Sequence, residues 1–234
     1  MIDIHNHILP GVDDGAGDIE ESLAMARIAE QDGIRHIIAT PHLLDQSLGR
    51  KVITDKAETL NEILLSAGIS VRIHPGAEIP VHLLEDDRYR IGLAGSRFLL
   101  VEFPVDSIMP MAAELFGWLT QKGYKIIIAH PERNMLAMKS PERMLELLGP
   151  DVSTQITAGS LTGKMGKVAL SLARYLLKKN QVGYLASDAH NLSDRPPILS
   201  DALPIAERCL KQPARTLVDE NPRKIWRPAN PDIL

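Results

Sequence analysis

An α/β fold, arranged as a distorted seven-stranded (β/α) TIM-like barrel, is the architecture this sequence predicts. Three observations carry it. Short apolar runs alternate with amphipathic stretches from end to end of the 234 residues. Such alternation implies parallel strands joined by right-handed crossovers. No glycine-rich dinucleotide fingerprint follows the first strand, which argues against an open doubly wound sheet. The length lies near the lower end for a barrel of this kind, so a small or distorted one is expected, as a single domain over 1–234.

The elements follow in order. Candidate strands are Ile2–His5, His36–Thr40, Ser70–His74, Phe98–Glu102, Lys125–Ala129, Ser153–Thr157 and Gly183–Ser187. Between them, Ile19, Leu23, Ala26 and Ala29 recur near helical spacing, as do Ile108, Met111, Ala112, Leu115 and Leu119. Val168, Leu172, Tyr175 and Leu176 repeat the pattern. Asp18-Ile-Glu-Glu21 reads as a capping box, and Ser140-Pro141-Glu142 as an N-cap followed by proline at the first helical position. Gly33, Gly68, Gly123 and Gly149 stand where helices end on a left-handed residue. Gly76–Gly95 is the least regular stretch, and a proline-containing tail after Asn221 is expected to wrap the surface.

Composition removes several classes of function. With 44% hydrophobic and 24% charged residues, the chain can build an ordinary core and is neither disordered nor fibrous. No run approaches 18 consecutive apolar residues, so no membrane insertion is expected. The start, Met1-Ile-Asp-Ile-His5, has neither a basic region nor a long apolar one, so no signal peptide is expected. The single cysteine, Cys209, fits a reducing, cytoplasmic setting. A formal net charge of -4 and scattered basic pairs argue against nucleic acid as a partner.

Residues that ligate metals recur where candidate strands end. His5-Asn-His7 closes the first strand, and two residues apart on an extended chain both imidazoles point to one side. His42 follows the second strand, Glu78 the third, Glu102 closes the fourth, and His130 the fifth. The last strand runs into Ser187-Asp188-Ala-His190. Asp14, in the turn Val12-Asp-Asp-Gly15, adds a carboxylate to the same rim, although spacing does not separate it from Asp13. Barrel enzymes carry their active sites on this face, where strands end.

Nine such residues are too many for one ion and suit about three divalent ions with bridging groups. The absence of cysteine from the rim excludes soft-metal and iron–sulfur centres. Mixed imidazole and carboxylate ligands suit manganese, iron or zinc. A pocket with several divalent ions favours a phosphate oxyanion and lowers the pKa of bound water. Arg133 and Arg195 follow two of the motifs closely enough to hold phosphate oxygens in bidentate fashion.

The set His5-x-His7, Asp14, Thr40-Pro-His42, Gly76-Ala-Glu78, Val101-Glu102, Ala129-His-Pro-Glu-Arg133 and Ser187-Asp-Ala-His190 resembles the polymerase and histidinol phosphatase (PHP) superfamily. Gly11-Val-Asp-Asp-Gly15, His190-Asn-Leu-Ser-Asp-Arg-Pro-Pro197 and Asn221-Pro-Arg-Lys-Ile225 are closer still to the manganese-dependent protein-tyrosine phosphatases of bacterial capsule and exopolysaccharide loci. The resemblance runs from Met1 to about Ile225 and implies a distorted seven-stranded barrel. It implies His5, His7, Glu78 and Asp188 around one metal, and Glu78, Glu102 and His130 around a second. Asp14, rather than Asp13, would join His42 and His190 at a third. It further implies Arg133 and Arg195 as phosphate-binding residues, and the tyrosine-rich tail of a membrane-associated bacterial kinase as substrate. The chemistry expected is hydrolysis of phosphotyrosine by a metal-bridging hydroxide. A small-molecule phosphomonoesterase of the histidinol-phosphatase type, sharing the metal site, is the rival expectation.

Two motifs point elsewhere and are set aside. Cys209 and Arg215 have the spacing of cysteine-dependent tyrosine phosphatases, but no glycine lies between them and Pro213 removes a backbone donor. Cys209 is therefore expected to be a buried helical residue. Gly159-Ser-Leu-Thr-Gly-Lys164 hints at a phosphate-binding loop, yet Ala158 and Met165 occupy positions that require glycine and a hydroxyl. His36, His74 and His82 lie outside the rim motifs.

Overall fold

The computed structural model describes residues 1–43, 48–210 and 213–226. Eight strands form among these residues. They are β1 (Ile2–Asn6), β2 (His36–Ala39), β3 (Arg72–Pro75), β4 (Glu78–Pro80), β5 (Phe98–Glu102), β6 (Lys125–Ala129), β7 (Val152–Thr157) and β8 (Tyr184–Ala186). All pairing is parallel, in a three-stranded sheet β1-β2-β3 and a five-stranded sheet β4-β5-β6-β7-β8. The expected seven-stranded barrel is thereby corrected to eight strands in two sheets, with no continuous ladder closing them.

The physical reasons lie at the two seams. Glu78–Pro80 is three residues long, too short for an alternating pattern to announce it within the irregular 76–95 stretch. It starts the second sheet. At Gly76 the chain passes so close to β2 that a Cβ atom would sit 2.8 Å from Ile38 Cγ2 and 3.3 Å from the Ala39 carbonyl oxygen. Across this seam, among the described residues, the backbone link between the sheets is the isolated parallel bridge of His42 with Glu78. At the other seam, β8 ends after three residues and Asp188 turns into the left-handed region, φ 53°. The bridge Asn6 with Ala189 is what remains there.

The strands are buried on both faces, as parallel sheets covered by helices are. Leu99, Val101, Ile126 and Ile128 face one apolar cluster, whereas the intervening Leu100 and Ile127 join Ile2, Ile4, Ile38 and Tyr184 in a second. Helices Ile19–Gln31 and Lys167–Lys178 include the expected amphipathic segments, Arg50–Ser66 leads to Gly68, and Ala112–Gln121 begins only after Ile108 and Met111 and so holds the later part of its expected segment. Asp18 caps the first of them by accepting the Glu21 N–H at 2.9 Å. Gly33, Gly68 and Gly123 take φ of +83°, +70° and +84° after their helices; Gly149 does not. Cys209 lies in the turn after helix Leu203–Glu207 and is half-buried, which corrects the expected buried helical position. The tail beyond Trp226 lies outside the described residues.

Candidate metal centre

Both seams open onto the same rim, and there the polar side chains gather. A bulge between Asp3 and Asn6 breaks the β1–β2 register. It lets Asn6 Nδ2 reach Asp3 Oδ2 at 2.9 Å, while His5 and His7 turn to the rim with their Nε2 atoms 3.2 Å apart. Asp3 also accepts from the Ser187 backbone N–H at 2.9 Å and its hydroxyl at 2.5 Å, tying β1 to the end of β8. The Val12–Gly15 turn folds over His7. Gly15 is compulsory, because a Cβ would fall 2.0 Å from the His7 carbonyl oxygen. His130 and Asp188 hold positive φ of 28° and 53°, a strained region in which His and Asp are over-represented.

All nine residues expected as ligands come together. Ligand atoms of His7, Asp14, His42 and His190 lie within 4.8 Å of one another, as do those of His5, His7 and Glu78. The same holds for His5, His130 and Asp188, and for His42, Glu78 and Glu102. Glu78 Oε2 is 3.2 Å from His5 Nε2 and 3.1 Å from His42 Nδ1, and Glu78 Oε1 is 2.8 Å from His130 Nε2. It is the hub. The structure also separates the two aspartates of the turn. Asp14 Oδ1 faces His190 Nε2 at 3.4 Å and His42 Nε2 at 3.7 Å, whereas Asp13 stands behind His7 and accepts from its Nδ1 at 2.6 Å.

The donor set fits cations. His5 Nδ1 donates to Gln155 Oε1 at 2.8 Å, His7 Nδ1 to Asp13, and His190 Nδ1 to the Asp188 carbonyl at 3.0 Å. Each neutral ring therefore aims a bare Nε2 lone pair inward, the arrangement that backing partners impose on metal-ligating histidines. Two such lone pairs 3.2 Å apart, with the Glu78 and Asp188 oxygens at 3.2–3.5 Å, repel unless a positive charge stands among them. Glu78 Oε2 and His190 Nε2 are buried with no hydrogen-bond partner. Without ions the cluster balances itself with protons. Burial would lower the His5 and His7 pKa values, yet for His5 the Glu78 and Asp188 charges, and for His7 the bonds to Asp13, Asp188 and Glu78, hold them up. Burial likewise would raise Glu78 and Asp188, but facing histidines keep both well below the usual carboxylate range. His190, buried and beside His7, falls to about 4. Metal binding at such a site displaces protons.

Arg133 Nη1 and Arg195 Nη2 both reach Asp188 Oδ2, at 2.5 and 2.6 Å. The two guanidinium groups thus converge on one oxygen of a clustered carboxylate. Two residues behind the rings have roles that residue type and spacing do not announce. Gln155 sits inside β7, the strand to which no ligand was assigned, and a glutamine in a buried strand is the signal that was available. Asp13 was masked by its neighbour.

A model of the family "Capsular polysaccharide synthesis, CpsB/CapC" matches residues 1–227. The chain belongs to the CpsB/CapC family. It is 37% identical over 233 residues to the tyrosine-protein phosphatase YwqE of Bacillus subtilis, covering 97% of this chain and 92% of that one. The tyrosine-protein phosphatase CpsB of Streptococcus pneumoniae is 32% identical over 237 residues, covering 96% and 98%. A crystal structure from work on YwqE and CpsB, described there as unique metal-dependent tyrosine phosphatases, superposes with a TM-score of 0.91 at 37% identity, over 97% of this chain and 94% of that one. A PTE-like lactonase of Deinococcus radiodurans shares only the fold, at a TM-score of 0.57 and 18% identity, over 96% and 94% of the two chains. This CpsB/CapC protein is thus a mixed α/β protein with parallel sheets.

Proposed function

We propose that this CpsB/CapC protein is a metal-dependent protein-tyrosine phosphatase, working as one domain over 1–234 whose two sheets are the arcs of an opened barrel. One observation carries the reading: nine imidazoles and carboxylates converge in overlapping groups, flanked by Arg133 and Arg195. About three divalent ions fit the set, manganese first, with iron or zinc as alternatives. His5, His7, Glu78 and Asp188 would hold one, Glu78, Glu102 and His130 a second, and Asp14, His42 and His190 a third. When bound, such ions supply an activated water and Lewis-acid stabilisation of phosphate oxygens.

The chain's own residues do the rest. Arg133 and Arg195 are the phosphate clamp. Arg195 Nε is buried and has no hydrogen-bond partner, which leaves a donor for an oxyanion. Both guanidinium groups stabilise charge on the transferring phosphoryl group. The tyrosyl leaving group has a conjugate-acid pKa of about 10, so it departs with little protonation. No nucleophilic side chain is needed.

The family's place in capsular polysaccharide synthesis supports a phosphotyrosine protein as partner, namely the tail of a membrane-associated bacterial tyrosine kinase, met in the cytoplasm. Among the described residues no helix is long and apolar enough to cross a membrane. The test compares turnover of a phosphotyrosine peptide and of histidinol phosphate by purified protein, before and after chelation. Peptide hydrolysis lost on chelation and restored by manganese is the expected result. Preference for histidinol phosphate would move the protein to the small-molecule phosphatases, and full activity after chelation would overturn the metal mechanism.

A further inference from the structure

The phosphate site has two flanks of different size. Beyond Arg195 the surface cleft is tiny, about 20 Å³, and its lining mixes Lys164, Asp194 and Asp201 with Met165, Pro196 and Ile198. Beyond Arg133 lies a larger cavity of about 70 Å³, bounded by Glu102 and His130 of the cluster and by the apolar Phe103, Val105, Pro131 and Met144. A ligand that places its phosphate against Arg133 thus meets apolar surface on that side.

We infer that the cavity beside Arg133 is the subsite for the aromatic ring of the phosphoester, with Phe103, Val105 and Met144 as its specificity-determining walls. The inference rests on the phosphatase reading above. Its volume is about half that of an apolar cavity of ~150 Å³ that encloses a benzene ring. The ring therefore enters part-way, and its outer face lies on Val105 and Met135, which are 64% and 48% exposed. Exposed apolar side chains grouped at the mouth of a polar site are a recognition feature.

The subsite is rigidly joined to the clamp. Asn134, next to Arg133, donates from Nδ2 to the Pro104 and Ser107 carbonyls at 2.8 and 2.9 Å, and its Oδ1 accepts the Leu136 and Ala137 N–H groups. The Met135 N–H donates to the Val105 carbonyl at 2.6 Å. The loop bearing Val105 and the turn bearing Arg133 are therefore set in one register, so ring and phosphate are positioned together. Phe103 is braced from behind by Phe116, centroids 6.1 Å apart and near edge-to-face.

The test uses the metal-loaded full chain and Val105→Ser, a surface change, with Met144→Leu as a second, volume-conserving variant. Efficiency is measured on phosphotyrosine and on glycerol 2-phosphate, and binding of phenylphosphonate and methylphosphonate by calorimetry. Wild type should bind phenylphosphonate about tenfold tighter than methylphosphonate, and Val105→Ser should lower the aryl-to-alkyl efficiency ratio about five- to tenfold, chiefly through KM. Met144→Leu should shift the same ratio by less. Equal losses on both substrates, or an unchanged ratio in both variants, overturns the subsite. A wild type inactive on every phosphomonoester overturns the phosphatase reading instead, and the phosphonate comparison still decides the subsite.

Discussion

Asp13 Oδ2 accepts from His7 Nδ1 at 2.6 Å and from the His42 backbone N–H at 2.9 Å, so one carboxylate oxygen holds the ring of one clustered histidine and the main chain of another. Its other oxygen takes the Gly15 N–H at 3.0 Å and closes the turn over His7. Asp13 is thus a brace, and its neighbour Asp14 is the group that faces His42 and His190.

Asp13→Ala and Asp14→Ala should differ in kind. Loss of a backing partner typically weakens metal affinity about 10- to 100-fold. Asp13→Ala should do so with metal stoichiometry recoverable at high metal concentration, because His7 is still present but poorly oriented. Asp14→Ala should reduce stoichiometry itself, at the His42 and His190 end. Chelator competition followed by metal counting distinguishes them, and an Asp13→Ala protein of unchanged affinity would count against the brace.

The proposed phosphate-binding role of Arg133 and Arg195 has a calculable cost of removal. Losing a charge-assisted hydrogen bond costs about 1.5–3 kcal/mol, so Arg133→Ala or Arg195→Ala should lower catalytic efficiency roughly 10- to 150-fold. Lysine should rescue partly, since it keeps the charge without the planar fork. Metal content should hold, and inhibition by inorganic phosphate should weaken. Unchanged phosphate inhibition in both variants would show that these groups serve only Asp188.

Cys209 is half-buried in a turn after helix Leu203–Glu207, and Pro213 follows it closely. Cys209→Ser should therefore keep most activity, and alkylation should inhibit little. A folded but inactive Cys209→Ser protein would transfer the chemistry to a thiolate.

Acid stability should carry a signature of His74. Burial, with the nearby His36 and Arg72 charges, lowers its pKa to about 3, and its Nε2 lies 3.1 Å from His36 Nδ1. A histidine depressed from an unfolded value near 6.5 favours the fold fully above that pH and loses its contribution as pH falls toward 3. Between pH 7 and 5 this amounts to about 2 kcal/mol. Denaturant titrations of wild type and His74→Gln should show the wild type losing that much more over the same interval. Parallel pH profiles would rule it out.

Much of this protein is set locally. The strands at Phe98–Glu102 and Lys125–Ala129 match the apolar runs residue for residue, because a run buried on both faces needs no distant information to be recognised. The Asp18 cap and the left-handed glycines at 33, 68 and 123 are likewise decided by the nearest few residues. The nine clustered residues were legible for a related reason: imidazoles and carboxylates at strand ends are out of place in an ordinary core.

Tertiary structure decided what depends on groups distant in the chain. Strand β4 exists because Glu78–Pro80 pairs with Leu100–Glu102, and three residues carry no period of their own. The break into two sheets follows from the close approach at Gly76 and the left-handed turn at Asp188. Asp13 and Asp14 are identical in type and adjacent, so spacing cannot tell them apart, and the packing of their turn against His7 sets one behind the ring and the other facing the cluster. Gln155 gains its role from a hydrogen bond to His5, 150 positions away. Residue type and spacing announce which side chains are able to bind a metal. Which atoms meet, and which partner stands behind each, is settled by contacts that form only when the chain closes on itself.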